Sequence, residues 1–280
     1  MPASTPAIVI RETVCKTVLN RSPLGGYSLN CYTGCTHACA YCYARFMQRF
    51  HPHAERWGRF VDVKVNAVET LKRQLRRLEP GDVFLSSACD GWQPVEARWR
   101  LTRRCCELLL ERGFRLSVLT KNELVARDFD IFRGRPVRVG VTLTSLDESL
   151  RRLWEPRASS VQARIDVLEA ARREGLRTSV MFGPVLPGLS DGASDLEAMF
   201  RQAEQSGVEA IWVDALNPRP RVWSAVAELL RAQWPELLPL YRKMLFDKDG
   251  RAEYLVSLQE RIHMAARRAG VSDRLGGCVD

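Results

Sequence analysis

Four of the nine cysteines in this 280-residue chain fall within twelve positions, at Cys31, Cys35, Cys39 and Cys42. The last three read Cys-x3-Cys-x2-Cys, with aromatic Tyr41 directly before the final cysteine. Three thiolates on one short loop can each hold one iron of a 4Fe–4S cube, and the fourth iron is then open to a reactant. The common ferredoxin spacings differ from this one. A second reading uses all four cysteines as a tetrahedral zinc site, with His37 as a spare ligand; zinc ribbons, however, join two short cysteine pairs from separate knuckles. A disulfide framework fits worst, because the cysteines are odd in number and clustered in a chain too long for a small secreted scaffold.

The string NCYTGCTHACAYCYAR, residues 30–45, resembles the cluster signature of radical S-adenosylmethionine (SAM) enzymes. It is most similar to the branch that contains spore photoproduct lyase. Cys31 stands where that branch has a proline, which leaves an extra thiol expected beside the cluster. The resemblance implies a 4Fe–4S cluster on Cys35, Cys39 and Cys42 whose open iron chelates the amino and carboxylate groups of SAM. It also implies reductive cleavage of SAM to a 5′-deoxyadenosyl radical that abstracts hydrogen from a substrate. A reducing partner such as flavodoxin or ferredoxin would supply the electron. Tyr41 is carried over as a cofactor-binding residue.

The elements that must position this loop repeat regularly. Residues 67–78 place Val68, Leu71, Leu75 and Leu78 at helical spacing, with Pro80-Gly81 as the stop. Residues 82–87 read as a buried strand, 98–112 as a helix ended by Gly113, 114–120 as a strand and about 123–132 as helical. Then follow strand 137–143, helix 160–174, strand 176–185, helix 192–206 and strand 208–216, with residues 27–31 as a first strand. Strand–helix alternation of this kind predicts parallel strands joined by right-handed helical crossovers. Periodicity alone fits either a six-stranded partial barrel or a doubly wound sheet. The family resemblance selects the partial (β/α)6 TIM-type barrel. The expected layout is an extension over 1–20, the barrel over 21–216 and a helical cap over 217–280.

Chemistry in either architecture gathers at the C-terminal strand ends. After the second strand, SSACDGWQPVE (86–96) is similar to the branch stretch Thr-Asp-Pro-Tyr-Gln-Pro-x-Glu, matching at Asp90, Gln93, Pro94 and Glu96. The resemblance makes Ser86 and Ser87 candidates for the SAM amino group, and turns Asp90 or Gln93 toward nucleoside or substrate. Cys89 lies near the position where the branch carries a hydrogen-donating cysteine; its competing reading is a buried core thiol. After the third strand, Lys121 is placed near the SAM carboxylate, against the alternative of a loop lysine. After the fourth, Thr142 takes the place of a hydroxyl near SAM. Glu155 before Pro156 reads as a loop anchor, and Arg164 as a member of a surface ion pair. The Gly183-Pro184 and Pro187-Gly188 turn is similar to one that approaches adenine in relatives.

Other features read as scaffold. Cys105 and Cys106 sit among leucines, His51 and His53 flank Pro52 as loop histidines, and Trp223, Trp234 and Tyr241 follow helical spacing as core. Cys278 falls in a tail expected to be exposed. Hydrophobic content of 46% with 27% charged residues describes a globular chain. No apolar run approaches a membrane span, and the first residues lack a secretory pattern, so the expectation is a reducing cytoplasmic setting without a membrane partner. A net charge of +9 is compatible with nucleic acid as substrate; a peptide or small molecule is the alternative. From another class, a non-catalytic zinc-binding nucleic-acid module would leave the six repeated units unexplained.

Overall fold

The computed structural model describes residues 7–23, 25–217, 219 and 221–278, the last two without their side chains. The chain begins with β1 (Val9–Thr13), β2 (Leu19–Arg21), β3 (Tyr27–Leu29) and β4 (Tyr32–Thr33), and after the cysteine loop comes β5 (Phe60–Lys64). The repeating part follows: α1 (Ala67–Gln74), β6 (Asp82–Leu85), α2 (Glu96–Trp99), α3 (Leu101–Glu111), β7 (Arg115–Thr120), α4 (Phe129–Phe132), β8 (Val137–Leu143), α5 (Glu148–Trp154), α6 (Val161–Arg173), β9 (Arg177–Val185), α7 (Ala193–Gln205) and β10 (Ala210–Ala215). The chain closes with α8 (Val222–Gln233), α9 (Leu238–Phe246), α10 (Lys248–Arg268) and β11 (Leu275–Cys278).

The main sheet has the order β11-β10-β9-β8-β7-β6-β3-β2. From β3 through β10 all neighbours run parallel. Each new strand therefore adds on the same side of the last. A doubly wound sheet reverses its strand order at a switch point; this one never does, so it curls into a partial barrel. Burial follows from that geometry. Strands covered on both faces carry nearly continuous apolar runs, and Val137, Val139, Val141 and Leu143 of β8 are all buried.

Two short caps show how local sequence starts the helices. Asp147 accepts the amide of Ser149 at 2.7 Å at the head of α5, and Ser160 accepts that of Ala163 at 3.1 Å at the head of α6. Helix α5 and strand β5 were not visible in the sequence pattern. Strand β5 pairs with β1 and β4 in a separate three-stranded sheet, and that sheet backs the cysteine loop. His53 also departs from the expected loop histidine. Its ring is buried, stacked 3.7 Å from the ring of Phe60, with Nε2 2.9 Å from Asp62.

The C-terminal segment packs in two places. Leu258, Ile262, Ala265 and Ala266 of α10 join the main core. Trp234 and Tyr241 stack on Trp154 at 6.4 and 6.0 Å, forming with Tyr41 and Cys39 a second apolar cluster. The core reading of these aromatics holds, and so does that of Cys105 and Cys106, both fully buried. Cys278 is not in a loose tail; its backbone pairs with Val213 in a parallel edge strand. Among the described residues no helix is long and apolar enough to cross a membrane.

Candidate active site

The cysteine loop leaves β4 through Gly34, whose φ of +85° is the left-handed region. A side chain there would meet the Phe60 carbonyl oxygen at 2.5 Å, so only glycine lets the loop cross β5 this closely. Beyond it, Cys35, Cys39 and Cys42 turn toward one cavity at the C-terminal strand ends. The same cavity is lined by Ser86, Ser87, Cys89 and Asp90 after β6, by Lys121 after β7 and by Thr142 of β8. Tyr41, Gln93 and the Gly183-Pro184 and Pro187-Gly188 turn, also named from the sequence, are not among its lining residues.

The three cysteines form no disulfide. Burial raises the thiols of Cys35, Cys39 and Cys42, that of Cys39 to about 12. Such buried sulfurs ionise when a cationic centre binds them. An all-sulfur donor set on one cavity wall suits the soft irons of a 4Fe–4S cluster. The zinc reading lacks its fourth ligand. Cys31, expected beside the cluster, turns into the core instead, with its sulfur 3.8 Å from that of Cys105. The spare ligand is engaged as well: His37 is buried, with Nδ1 3.4 Å from Asp90 and Nε2 3.2 Å from Asn122. Among the described residues, no three His, Cys, Asp or Glu side chains form a group that could hold one metal ion.

Much of what the motif matches supply is a frame for the loop. Gln93 does not face the cavity; buried, it accepts the Thr36 amide at 2.9 Å and donates to the Gly34 carbonyl at 3.1 Å. Glu96, also buried, receives the Tyr32 hydroxyl and the amides of Thr102 and Arg103. Asp90 lines the cavity with both carboxylate oxygens occupied. Thr120 Oγ1 and the Lys121 amide donate to it at 2.7 Å each, and the Trp92 amide at 2.9 Å. Asp90 thus staples the end of β7 to the loop after β6.

The ion pair of Glu155 with Arg164 is fully buried rather than on the surface. Glu155 does anchor its loop, since Tyr41 and Thr144 both donate to it. Thr144, Asn30 and Tyr43 join the site beyond the residues expected from the sequence. Asn30 accepts the Ala88 amide and donates to Ser87 Oγ, both at 2.8 Å, fixing the turn that carries Cys89. Asn30 and Tyr43 lie inside the conspicuous cysteine string, and that proximity was the signal available.

The groups with free chemistry are then few. Cys89 is buried, its sulfur 3.3 Å from the Tyr32 carbonyl oxygen, and burial pushes its thiol up to about 12. The Lys121 ammonium sits 5.7 Å from the ring centre of Tyr41, a compact cation on the cavity wall. Ser86 holds a φ of +75°, and its hydroxyl accepts the Gly91 amide at 2.9 Å.

Comparison with known proteins gives the family. Residues 29–203 match the family model of the Radical SAM superfamily. An uncharacterised protein of Mycobacterium tuberculosis is 33% identical over 270 residues, covering 86% of this chain and 79% of that protein. An uncharacterised protein of Methanocaldococcus jannaschii is 34% identical over 187 residues, 66% of this chain and 70% of the other. The Radical SAM Nalpha-GlyT isomerase of Pseudomonas phage M6 is 28% identical over 171 residues, 60% of this chain and 33% of its own length. In fold, the chain is similar to spore photoproduct lyase complexed with dinucleoside spore photoproduct, at a TM-score of 0.66 and 16% identity over 96% of this chain and 81% of the lyase. A mutant of that lyase with bound AdoMet and dinucleoside spore photoproduct gives 0.67 and 15%, over 97% and 81%. A barrel of unbroken strand order that gathers three cysteines of one loop at its strand ends, matched over most of its length, belongs to the radical SAM superfamily of enzymes.

Proposed function

We propose that this enzyme performs SAM-dependent radical chemistry on a nucleic acid, with Cys89 returning a hydrogen atom to the substrate. The observation that carries the reading is the sharing of one cavity by the cluster cysteines, Lys121 and Cys89. When bound, the cluster and SAM supply one-electron cleavage of the sulfonium and a hydrogen-abstracting radical. The chain's own residues do the rest. Cys35, Cys39 and Cys42 hold the cluster from one wall. The Lys121 ammonium offers a charge partner to the carboxylate of SAM, and Ser86, Ser87 and Thr142 offer polar groups around it. Tyr41 and Asp90 serve through position.

Cys89 is suited to hydrogen return because it keeps its proton. Transfer breaks its S–H bond, forms a C–H bond on the product and leaves the odd electron on sulfur. Nucleic acid is favoured as substrate by two features. The net charge is +9, and the fold is like that of a lyase solved with a dinucleoside photoproduct. The test is substrate-stimulated release of 5′-deoxyadenosine by the reduced, reconstituted enzyme. Oligonucleotides carrying modified or irradiated bases should raise the release above the no-substrate rate. Stimulation by peptides alone would move the substrate class away from nucleic acid.

A further inference from the structure

The hydroxyl of Tyr41 is buried and donates to Glu155, with Thr144 Oγ1 3.1 Å away. Glu155 also accepts from Thr144 at 3.0 Å and pairs with Arg164. The Arg164 guanidinium in turn donates to the carbonyls of Thr142 at 2.8 Å and Ser159 at 3.0 Å. The Ser159 amide donates to the Lys121 carbonyl at 3.0 Å, and the Ala40 amide to the Trp154 carbonyl at 2.9 Å. One buried carboxylate therefore ties together the three segments that carry Tyr41, Lys121 and Thr142.

A carboxylate and a guanidinium taken out of water are costly unless their hydrogen-bonding capacity is used. Here it is used, by groups from three stretches of chain, at Tyr41, at Thr142 and Thr144, and at Ser159. Burial alone would raise the Glu155 carboxyl, but the charges of Arg164 and Lys121 and the bonds from Arg164 and Tyr41 hold it at about 2. If the aromatic before the last cysteine served only by packing, phenylalanine would do as well: the ring already stacks on Trp154 at 6.3 Å. The hydroxyl is the part that reaches the ion pair.

We infer that the Tyr41 hydroxyl and Glu155 form a fastener that sets the cysteine loop against Lys121 and Thr142, making both of them positioning residues for SAM binding. The inference rests on the reading that Cys35, Cys39 and Cys42 hold the cluster and that Lys121 faces SAM. It assigns the two residues no contact with substrate; they act through where they hold others.

The variant Tyr41→Phe keeps the ring and removes the one donor. In the cluster-free protein, amide hydrogen exchange over residues 36–45 should rise about tenfold, the scale of one lost bond to a charged group. Exchange in β6 to β9 should stay as in the wild type. In the reconstituted enzyme, iron content should be unchanged, SAM should bind about tenfold more weakly, and the SAM-induced change in the reduced-cluster EPR spectrum should shrink. Glu155→Gln should act in the same direction. The double variant should bind SAM no worse than the weaker single variant, because both break one linkage. Wild-type exchange over 36–45 together with wild-type SAM affinity in Tyr41→Phe overturns the fastener and leaves the cluster reading intact. A wild-type protein that takes up no iron overturns the cluster reading, and with it the role in SAM binding.

Discussion

Cys89 keeps its proton at neutral and mildly alkaline pH, because burial lifts its thiol to about 12 and a thiol is protonated below its pKa. Hydrogen return should therefore be independent of pH between about 6 and 9, read as the fraction of product that carries hydrogen from exchangeable solvent. In Cys89→Ala, 5′-deoxyadenosine release should persist while correctly quenched product falls by at least about tenfold; product formed at the normal rate would remove Cys89 from the reaction. The cysteines near the loop divide just as sharply. Cys31 packs against Cys105 in the core, so Cys31→Ala should load iron like the wild type, whereas Cys35→Ala, Cys39→Ala and Cys42→Ala should each fail to hold the cluster. Iron analysis after anaerobic reconstitution separates the two groups. At this scale the sequence was informative where chemistry is local: the three cysteines, Cys89, Lys121 and Thr142 all reach the same cavity. It misled where a polar residue's role depends on a distant partner. Gln93 bonds residues 57 and 59 positions away, and Tyr41 meets Glu155 across 114. No spacing rule carries such pairings.

The cysteine loop is an element with little secondary structure of its own, and its shape comes from what grips it. Gln93 and Glu96 hold its entrance, Asp90 and His37 its middle, and Glu155 its exit. Gln93→Leu should leave the Thr36 amide and the Gly34 carbonyl buried without partners, costing about 1–3 kcal/mol for each. Gly34→Ala should cost at least about 1–2 kcal/mol from its left-handed backbone alone, with the clash against the Phe60 carbonyl added. Urea midpoints of the cluster-free protein measure both, and unchanged midpoints would show that the loop is not gripped as described. Most helices and strands were legible because buried parallel strands and amphipathic helices repeat their own periods. Strand β5 was hidden in a basic, aromatic stretch where Asp62 interrupts the apolar run; the buried His53 beside it bonds one oxygen of that carboxylate. Strand β11 contains two glycines and has little strand propensity. It is a strand because β10 offers an unpaired edge.

Across the whole molecule, strand order decided between two architectures that periodicity could not separate, since a sheet that only ever adds on one side makes a barrel. The C-terminal helices extend the same unit, and their aromatics reach Trp154 and, through it, the ring of Tyr41. The C-terminal aromatics thus pack behind the cluster loop, through Trp154 onto Tyr41. The central claim is that this barrel holds a 4Fe–4S cluster on Cys35, Cys39 and Cys42 and uses it to cleave SAM. It is tested most directly by reconstituting the protein without oxygen, reducing it with dithionite, and measuring bound iron and sulfide, the EPR spectrum with and without SAM, and 5′-deoxyadenosine formed. The account predicts about four irons per chain, a reduced-cluster signal that changes when SAM is added, and released 5′-deoxyadenosine. One bound zinc, no such signal and intact SAM would contradict it.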